Sequence, residues 1–246
     1  MIAYKADLHI HTVISPCGDL EMSPSNIVAK AKEMGLGIIG IADHNCTKHG
    51  PLISSLAAKE DIYVLMGAEV TTKEEAHCLC FFPNEGTLSA FQRFLEEKLP
   101  PIPLDTKHFG FQVVVNEQEE IVEELPYLLI AAIDASIDQV EQKVHELGGL
   151  FIPAHINKNK FSVISQLGFI PFDLNYDALE ISPHTTKPKF CLTLPQLEQK
   201  TFIQCSDAHL IEGIGSAFTN IYIENKSFDE IKMALHNQQG RYVEIP

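Results

Sequence analysis

Apolar and polar positions along this chain repeat as a strand followed by a helix. The first strand covers Asp7-Leu8-His9-Ile10-His11-Thr12, where Leu8 and Ile10 alternate with two histidines, so both imidazoles are expected on one face. Ser23-Pro24 then opens a helix, with serine as N-cap and proline at the first helical position. Ile27, Val28, Ala31 and Met34 share a face, and Gly35 ends it. Ile38-Ile39-Gly40-Ile41-Ala42 is apolar at every position, as strands buried on both faces are, and runs into Asp43-His44. The unit returns as a helix over 50–59 and a strand Tyr63–Ala68 ending at Glu69. A strand His77–Phe82 and a helix over 87–98 follow.

Pro100, Pro101 and Pro103 interrupt the alternation. Between them and Pro126, Phe111–Val115 and Ile121-Val122 flank a polar turn, which predicts a β-hairpin. The stretch 99–127 therefore reads as an insertion, either a flap over a site or a surface excursion. Ser136 and Gln139 fit a capping box ahead of Val140, Val144 and Leu147, and Gly148-Gly149 stops that helix. Short strands follow at Leu150–Ala154, Ala178–Ile181, Thr201–Cys205 and Ile221–Ile223, and Ser227 with Glu230 predicts a second capping box for the last helix. This alternation argues for an α/β domain over 1–246, a parallel barrel or a doubly wound sheet.

With 246 residues the chain is of barrel size and can bury a sizeable core. No apolar run is long enough for a membrane span, and the N-terminus lacks the basic-then-apolar form of a signal peptide, which predicts a cytoplasmic protein without membrane association. Six cysteines without CxxC spacing argue against a disulfide framework. The net charge is -15, and the arginines are Arg93 and Arg241, a balance that would repel duplex nucleic acid. A small phosphorylated molecule is a different case, because bound metals can make one pocket locally positive.

Residues able to hold metals stand where the strands end: His9, His11, His44, Glu69, His77, His155, Asp207 and His209. In parallel α/β folds these ends converge on one rim. Imidazole nitrogens with a few carboxylates suit zinc, iron or manganese.

Together, DLHIHT at 7–12, ADH at 42–44, GAE at 67–69, His77, PAH at 153–155 and SDAH at 206–209 resemble, in order and over nearly the whole chain, the PHP (polymerase and histidinol phosphatase) family. The resemblance implies a distorted (β/α)7 barrel carrying two or three divalent metal ions that hydrolyses phosphate esters. It implies one metal held by His9, His11, Glu69 and Asp207, and a second sharing Glu69 and adding His77 and His155. A third would take His44, His209 and a ligand from the loop after the first strand. That loop reads Ser15-Pro16-Cys17-Gly18-Asp19 here, where a histidine or aspartate is common. Cys17 occupies the corresponding place, Asp19 is near enough to compete, and a weak or absent third metal is the remaining alternative.

A carboxylate offers two oxygens, so Glu69 suits a bridge between cations, which at about 3.5–4 Å apart bring the pKa of a shared water toward about 7. The expected catalytic residues are Glu69, Asp207 and His184, the last as a phosphate contact or leaving-group acid. Lys158 and His184 are the candidate substrate contacts. Asp43 is expected to orient a neighbouring imidazole. His49, His108, His145 and His236 read as surface or structural, and Gly213-Ile214-Gly215 as a turn into the final strand, since no Lys-Ser/Thr follows. The function expected is hydrolysis of a phosphate monoester of a small metabolite, a nucleotide or a histidinol-phosphate-like compound. Alternatives are a single-stranded nucleic-acid exonuclease and a non-catalytic metal-binding regulatory module.

Overall fold

Strand and helix boundaries follow the local chemistry closely in the first half of the chain. The computed structural model describes residues 1–246. β1 (Ile2–Ile10), α1 (Pro24–Glu33), β2 (Ile38–His44), α2 (Gly50–Ala58), β3 (Tyr63–Thr71), β4 (His77–Phe82) and α3 (Glu85–Lys98) come first. The insertion holds a short α4 (Thr106–Phe109) and the strands β5 (Val113–Val115) and β6 (Ile121–Glu124), paired antiparallel as the expected hairpin. Then come α5 (Ile137–Glu146), β7 (Leu150–Pro153), α6 (Val163–Leu167), β8 (Leu179–Ile181), α7 (Lys187–Cys191), β9 (Phe202–Gln204), β10 (Thr219–Ile223), α8 (Phe228–Leu235) and β11 (Tyr242–Glu244). No helix is long and apolar enough to cross a membrane.

Seven strands form one curled sheet in the order β11-β10-β1-β2-β3-β4-β7. β8 and β9 pair parallel with each other and fill the gap between β7 and β1. On one side Asp177 N–H donates to Phe151 O and Ile156 N–H to Glu180 O, both at 2.9 Å. On the other, His11 N–H donates to Ala208 O at 3.0 Å and Ala208 N–H to His9 O at 3.2 Å. The result is a distorted barrel whose interior is filled by Ala6, Leu8, Ile38, Leu65, Leu79, Phe81, Ile152 and Ile203 among others.

The sheet is mixed, which corrects the expectation of a parallel one. β1, β2 and β3 are parallel, but β4 is antiparallel to both β3 and β7, and β10 to both β1 and β11. The β3–β4 loop is far too short for a crossover, so these strands form a hairpin. His77 therefore opens its strand and still reaches the rim where β3 ends. Gly67 permits the close approach, since a Cβ there would run into the Cys80 carbonyl. In β1, strict alternation also fails: the register against β2 shifts between Asp7 and Ile10. Leu8 packs with Ala6 and Ile38, whereas Ile10 packs with Ile39 and Ile41 beneath α1 and α2. Such a bulge re-aims side chains, here His9 and His11.

The Ser136–Gln139 capping box is complete, but only half of the second one forms. Ser227 accepts from Glu230 N–H, while the Glu230 carboxylate turns to Arg241 and to Glu224 N–H. The stretch 99–127 packs beside the barrel mouth without lining its pocket, to which only Ile130, just beyond it, contributes from this part of the chain.

Candidate metal centre

The rim gathers His9, His11, His44, Glu69, His77, His155, Asp207 and His209 from strand ends and the turns just past them. Glu69, paired in register with His44, lies at the centre and is buried. Its Oε1 is 2.9 Å from His77 Nδ1, 3.1 Å from His155 Nε2 and 3.3 Å from His9 Nε2, and its Oε2 is 3.1 Å from His44 Nδ1 and 3.5 Å from His11 Nε2. Asp207 Oδ1 lies 3.4 Å from both His9 Nε2 and His11 Nε2 and 3.7 Å from His209 Nδ1. Three sets of ligating atoms converge closely: His9, His11 and Glu69; His44, Glu69 and His77; His11, His44 and His209. These overlap the expected ligand sets without coinciding with them.

Electrostatically the cluster is frustrated. Burial would raise Glu69, but His77 and His9 hold it well below the usual carboxylate range. Burial also opposes the ionised form of Asp207, and His9 and His11 hold it low. His9 is raised because Glu180, Asp207 and Glu69 outweigh its burial. Burial and the neighbouring His209 push His11 down to about 3, and burial and His11 push His44 well down.

The donor set fits divalent cations. His9 Nδ1–H donates to Glu180 at 3.0 Å and His11 Nδ1 contacts Ser15 Oγ at 3.1 Å, so in the neutral rings both Nε2 lone pairs face inward, 3.2 Å apart, and without a cation the raised His9 keeps a second proton between them. His44 Nδ1 and His155 Nδ1 are buried without a hydrogen-bond partner, the former in spite of its proximity to Glu69. Opposed lone pairs and orphaned nitrogens are costly in a buried site and become favourable around a cation.

Glu180 is the residue that sequence reasoning missed. It sits in mid-strand in β8, where one oxygen takes His9 Nδ1–H and the other takes His155 N–H at 2.8 Å. His155 has φ +29 and Asp207 φ +55, conformations that persist only where surrounding bonds enforce them. Asp43 acts through an intermediary: it accepts from Ser15 Oγ at 2.7 Å, and Ser15 meets His11.

A pocket of about 580 Å³ opens over the cluster, lined also by Cys17, Lys158, Asn159, Lys160 and Phe161. Lys158 is ion-paired with Asp207, which raises its pKa against burial. Phe161 stacks on His77 at 4.9 Å. Cys17 lines this pocket but belongs to none of the three close groups. Cys17 is exposed, so the upward push that packing and the nearby Glu69 exert on its thiol is screened by solvent. Asp19 lies outside the pocket, its carboxylate accepting from Glu21 N–H at 2.8 Å. His184 also lies outside and is exposed. Asn157 ties down the end of β8 through Ser182, and the chain turns outward before His184.

A family-level profile of the PHP domain matches residues 7–162. The protein YqxK of Bacillus subtilis is 24% identical over 269 aligned residues, covering 97% of this chain and 63% of its own length. MJ1587 of Methanocaldococcus jannaschii is 36% identical over 89 residues, 33% of this chain and 52% of that protein. Among solved structures, the lesion-specific endonuclease PfuEndoQ of Pyrococcus furiosus superposes with a TM-score of 0.71 at 18% identity, over 98% of this chain and 58% of that one. A provisionally assigned metal-dependent phosphoesterase of Bifidobacterium adolescentis gives 0.60 at 20% identity, over 95% and 96%. These likenesses establish the fold, and the chain spans less than two thirds of YqxK and of PfuEndoQ.

Proposed function

Because this chain belongs to the PHP domain family, we propose that it is a metal-dependent hydrolase acting on a phosphate monoester of a small metabolite. The observation that carries the reading is the convergence of imidazole nitrogens on buried Glu69 and half-buried Asp207, with two nitrogens left unpartnered, at the floor of a pocket. His9, His11, Glu69 and Asp207 would hold one cation, Glu69, His77 and His155 a second, and His44 with His209 a third. Zinc, iron or manganese would supply Lewis acidity and lower the pKa of a water to about 7.

Around them the chain's own residues have separate tasks. Glu69 would share its two oxygens between neighbouring cations, and Glu180 holds His9 with its Nε2 inward. Lys158, now paired with Asp207, would be released to bind a phosphate oxygen if Asp207 held a cation. His184 has no task in this scheme. The pocket volume falls within the roughly 300–1,000 Å³ typical of small-molecule sites. The net charge of -15 disfavours a polyanion, and Arg241 is committed to Glu224 and Glu230.

The TM-score of 0.71 to an endonuclease favours a second reading, cleavage of a phosphodiester in nucleic acid. Protein loaded with manganese or zinc is to be assayed on an aryl phosphate, nucleoside monophosphates, histidinol phosphate and labelled single- and double-stranded DNA. Faster turnover of a monoester supports the proposal, and faster cleavage of DNA favours the second reading. Bound metal without any hydrolysis would point to a regulatory metal-binding module.

A further inference from the structure

One buried histidine connects the inserted hairpin to the candidate cation site. His49, just ahead of α2, is fully buried. Its Nε2 lies 3.0 Å from the Val115 amide in β5, and its Nδ1 lies 2.7 Å from Thr12 Oγ1. A backbone amide can only donate, so Nε2 accepts and the ring proton sits on Nδ1, donating to Thr12. Burial lowers the His49 pKa to about 4, which keeps the ring neutral at physiological pH.

The remaining protons are then fixed in turn. Thr12 Oγ1 donates its one proton to Asp43 Oδ2 at 2.8 Å, and Ser15 Oγ donates to Asp43 Oδ1 at 2.7 Å. Ser15 Oγ is left to accept from His11 Nδ1–H at 3.1 Å. That tautomer leaves the His11 Nε2 lone pair facing Glu69 and Asp207. Thr12, Ser15, Asp43 and His49 are all buried, so water offers no substitute partners.

We propose that His49 is a positioning residue that couples docking of the 99–127 insertion to cation binding at His11. The proposal rests on the cation-site reading of the rim. When Val115 withdraws, His49 Nε2 loses its donor and the ring can take the other tautomer, in which Nδ1 accepts the Thr12 hydroxyl proton. Asp43 then loses a donor, and the Ser15–His11 contact loses its fixed direction. The hairpin is suited to such movement. It meets the barrel through two small apolar clusters, Val113 and Val115 on Val13 and Val114 and Leu125 on Ile14 and Cys46, and through surface contacts such as Lys48–Glu123 and Lys59–Glu117, while β6 is exposed along its whole length. Coupling of this kind is reciprocal, so a cation at His11 favours the docked hairpin.

Hydrogen exchange of the whole chain, with chelator and with saturating Mn²⁺, tests this at residues 113–115. The expected result is slower exchange there with Mn²⁺, by a factor of about 5–150, the usual span of coupling between sites. The amides of α8 should not change. His49→Gln retains an acceptor placed toward Val115 and His49→Asn a donor placed toward Thr12, and each breaks the path at a different bond. Both should lose the Mn²⁺-dependent protection and bind Mn²⁺ more weakly, even where the melting temperature is unchanged, a pattern that a merely structural histidine would not give. Mn²⁺ binding by the wild type without protection at 113–115, or wild-type affinity in both variants, would overturn the coupling and leave the cation site standing. If the wild type bound neither Mn²⁺ nor Zn²⁺, the cation reading would fall and the coupling with it.

Discussion

Two clusters of histidine and carboxylate occupy opposite ends of the barrel, and they behave differently although their residue types are the same. Below the strands, Asp177 accepts from His236 Nε2 and Phe151 N–H, both at 2.7 Å, and from His145 Nε2 at 3.2 Å. His145 Nδ1 meets Glu141 at 2.5 Å. Both ring nitrogens of His145 face carboxylates, so its protonated form sits between two of them. At the rim, by contrast, imidazole nitrogens face one another, and two of them lack a partner. The lower cluster is closed and suits a structural role. What marks a cation site is the convergence of unsatisfied lone pairs rather than the presence of histidine and acid.

Glu69→Gln is the sharpest way to break this contrast. The substitution keeps the shape but removes the charge that His9, His44, His77 and His155 share, and leaves one acceptor oxygen where two are needed. Metal content should fall and hydrolysis should drop by more than the roughly 10–100-fold that loss of an outer partner costs. Near-normal rates with full metal content would remove Glu69 from the centre of the site. Glu180→Gln should have the next largest effect. One of its two acceptor positions would become an NH2 group facing either His9 Nδ1–H or His155 N–H, so metal affinity should fall about 10–100-fold, as measured by chelator competition. Asp177→Asn, the matching change in the lower cluster, should leave that affinity unchanged. If it weakened metal binding as much as Glu180→Gln, the two ends would not be independent.

The residues that meet at the rim were legible because most of them stand where apolar strands stop, a position that topology converts into one rim. Glu180 was not, since Leu179-Glu180-Ile181 reads as ordinary strand alternation. The one available hint is an acid in a strand this short running into Ser182-Pro183. His77 was picked out on the wrong premise, as a strand-end residue, when the brevity of the β3–β4 loop already implied a hairpin that brings a strand's start to the rim. His184 stands outside the pocket because the chain turns away immediately after β8. His49 resembled any isolated histidine, because its partners Thr12 and Val115 lie far away in sequence and one belongs to an insertion whose docking no local pattern encodes. Glu230 marked a capping box by spacing alone, and Arg241, eleven residues on, outcompeted the cap.

The smallest expected effect is a pH dependence of stability that belongs to the lower cluster. His145 is raised above its usual value, chiefly by its hydrogen bond to Asp177, so its contribution is full below about pH 6.5 and is lost as pH rises through the folded-state value. Burial would raise Asp177, but His145 and Phe151 N–H hold it low, so its contribution is present above about pH 3.8 and is lost as pH falls through the folded-state value. The two windows overlap between roughly pH 4 and 6.5. The difference in urea midpoint between the wild type and Asp177→Asn, measured on metal-free protein in chelator, should therefore be largest in that window. It should shrink above it without vanishing, because Asp177 still accepts from Phe151 N–H when His145 is neutral. A difference that stayed flat from pH 5 to 9 would mean that Asp177 does not shift the titration of His145, and the ion pair would then drop out of the account of the lower cluster.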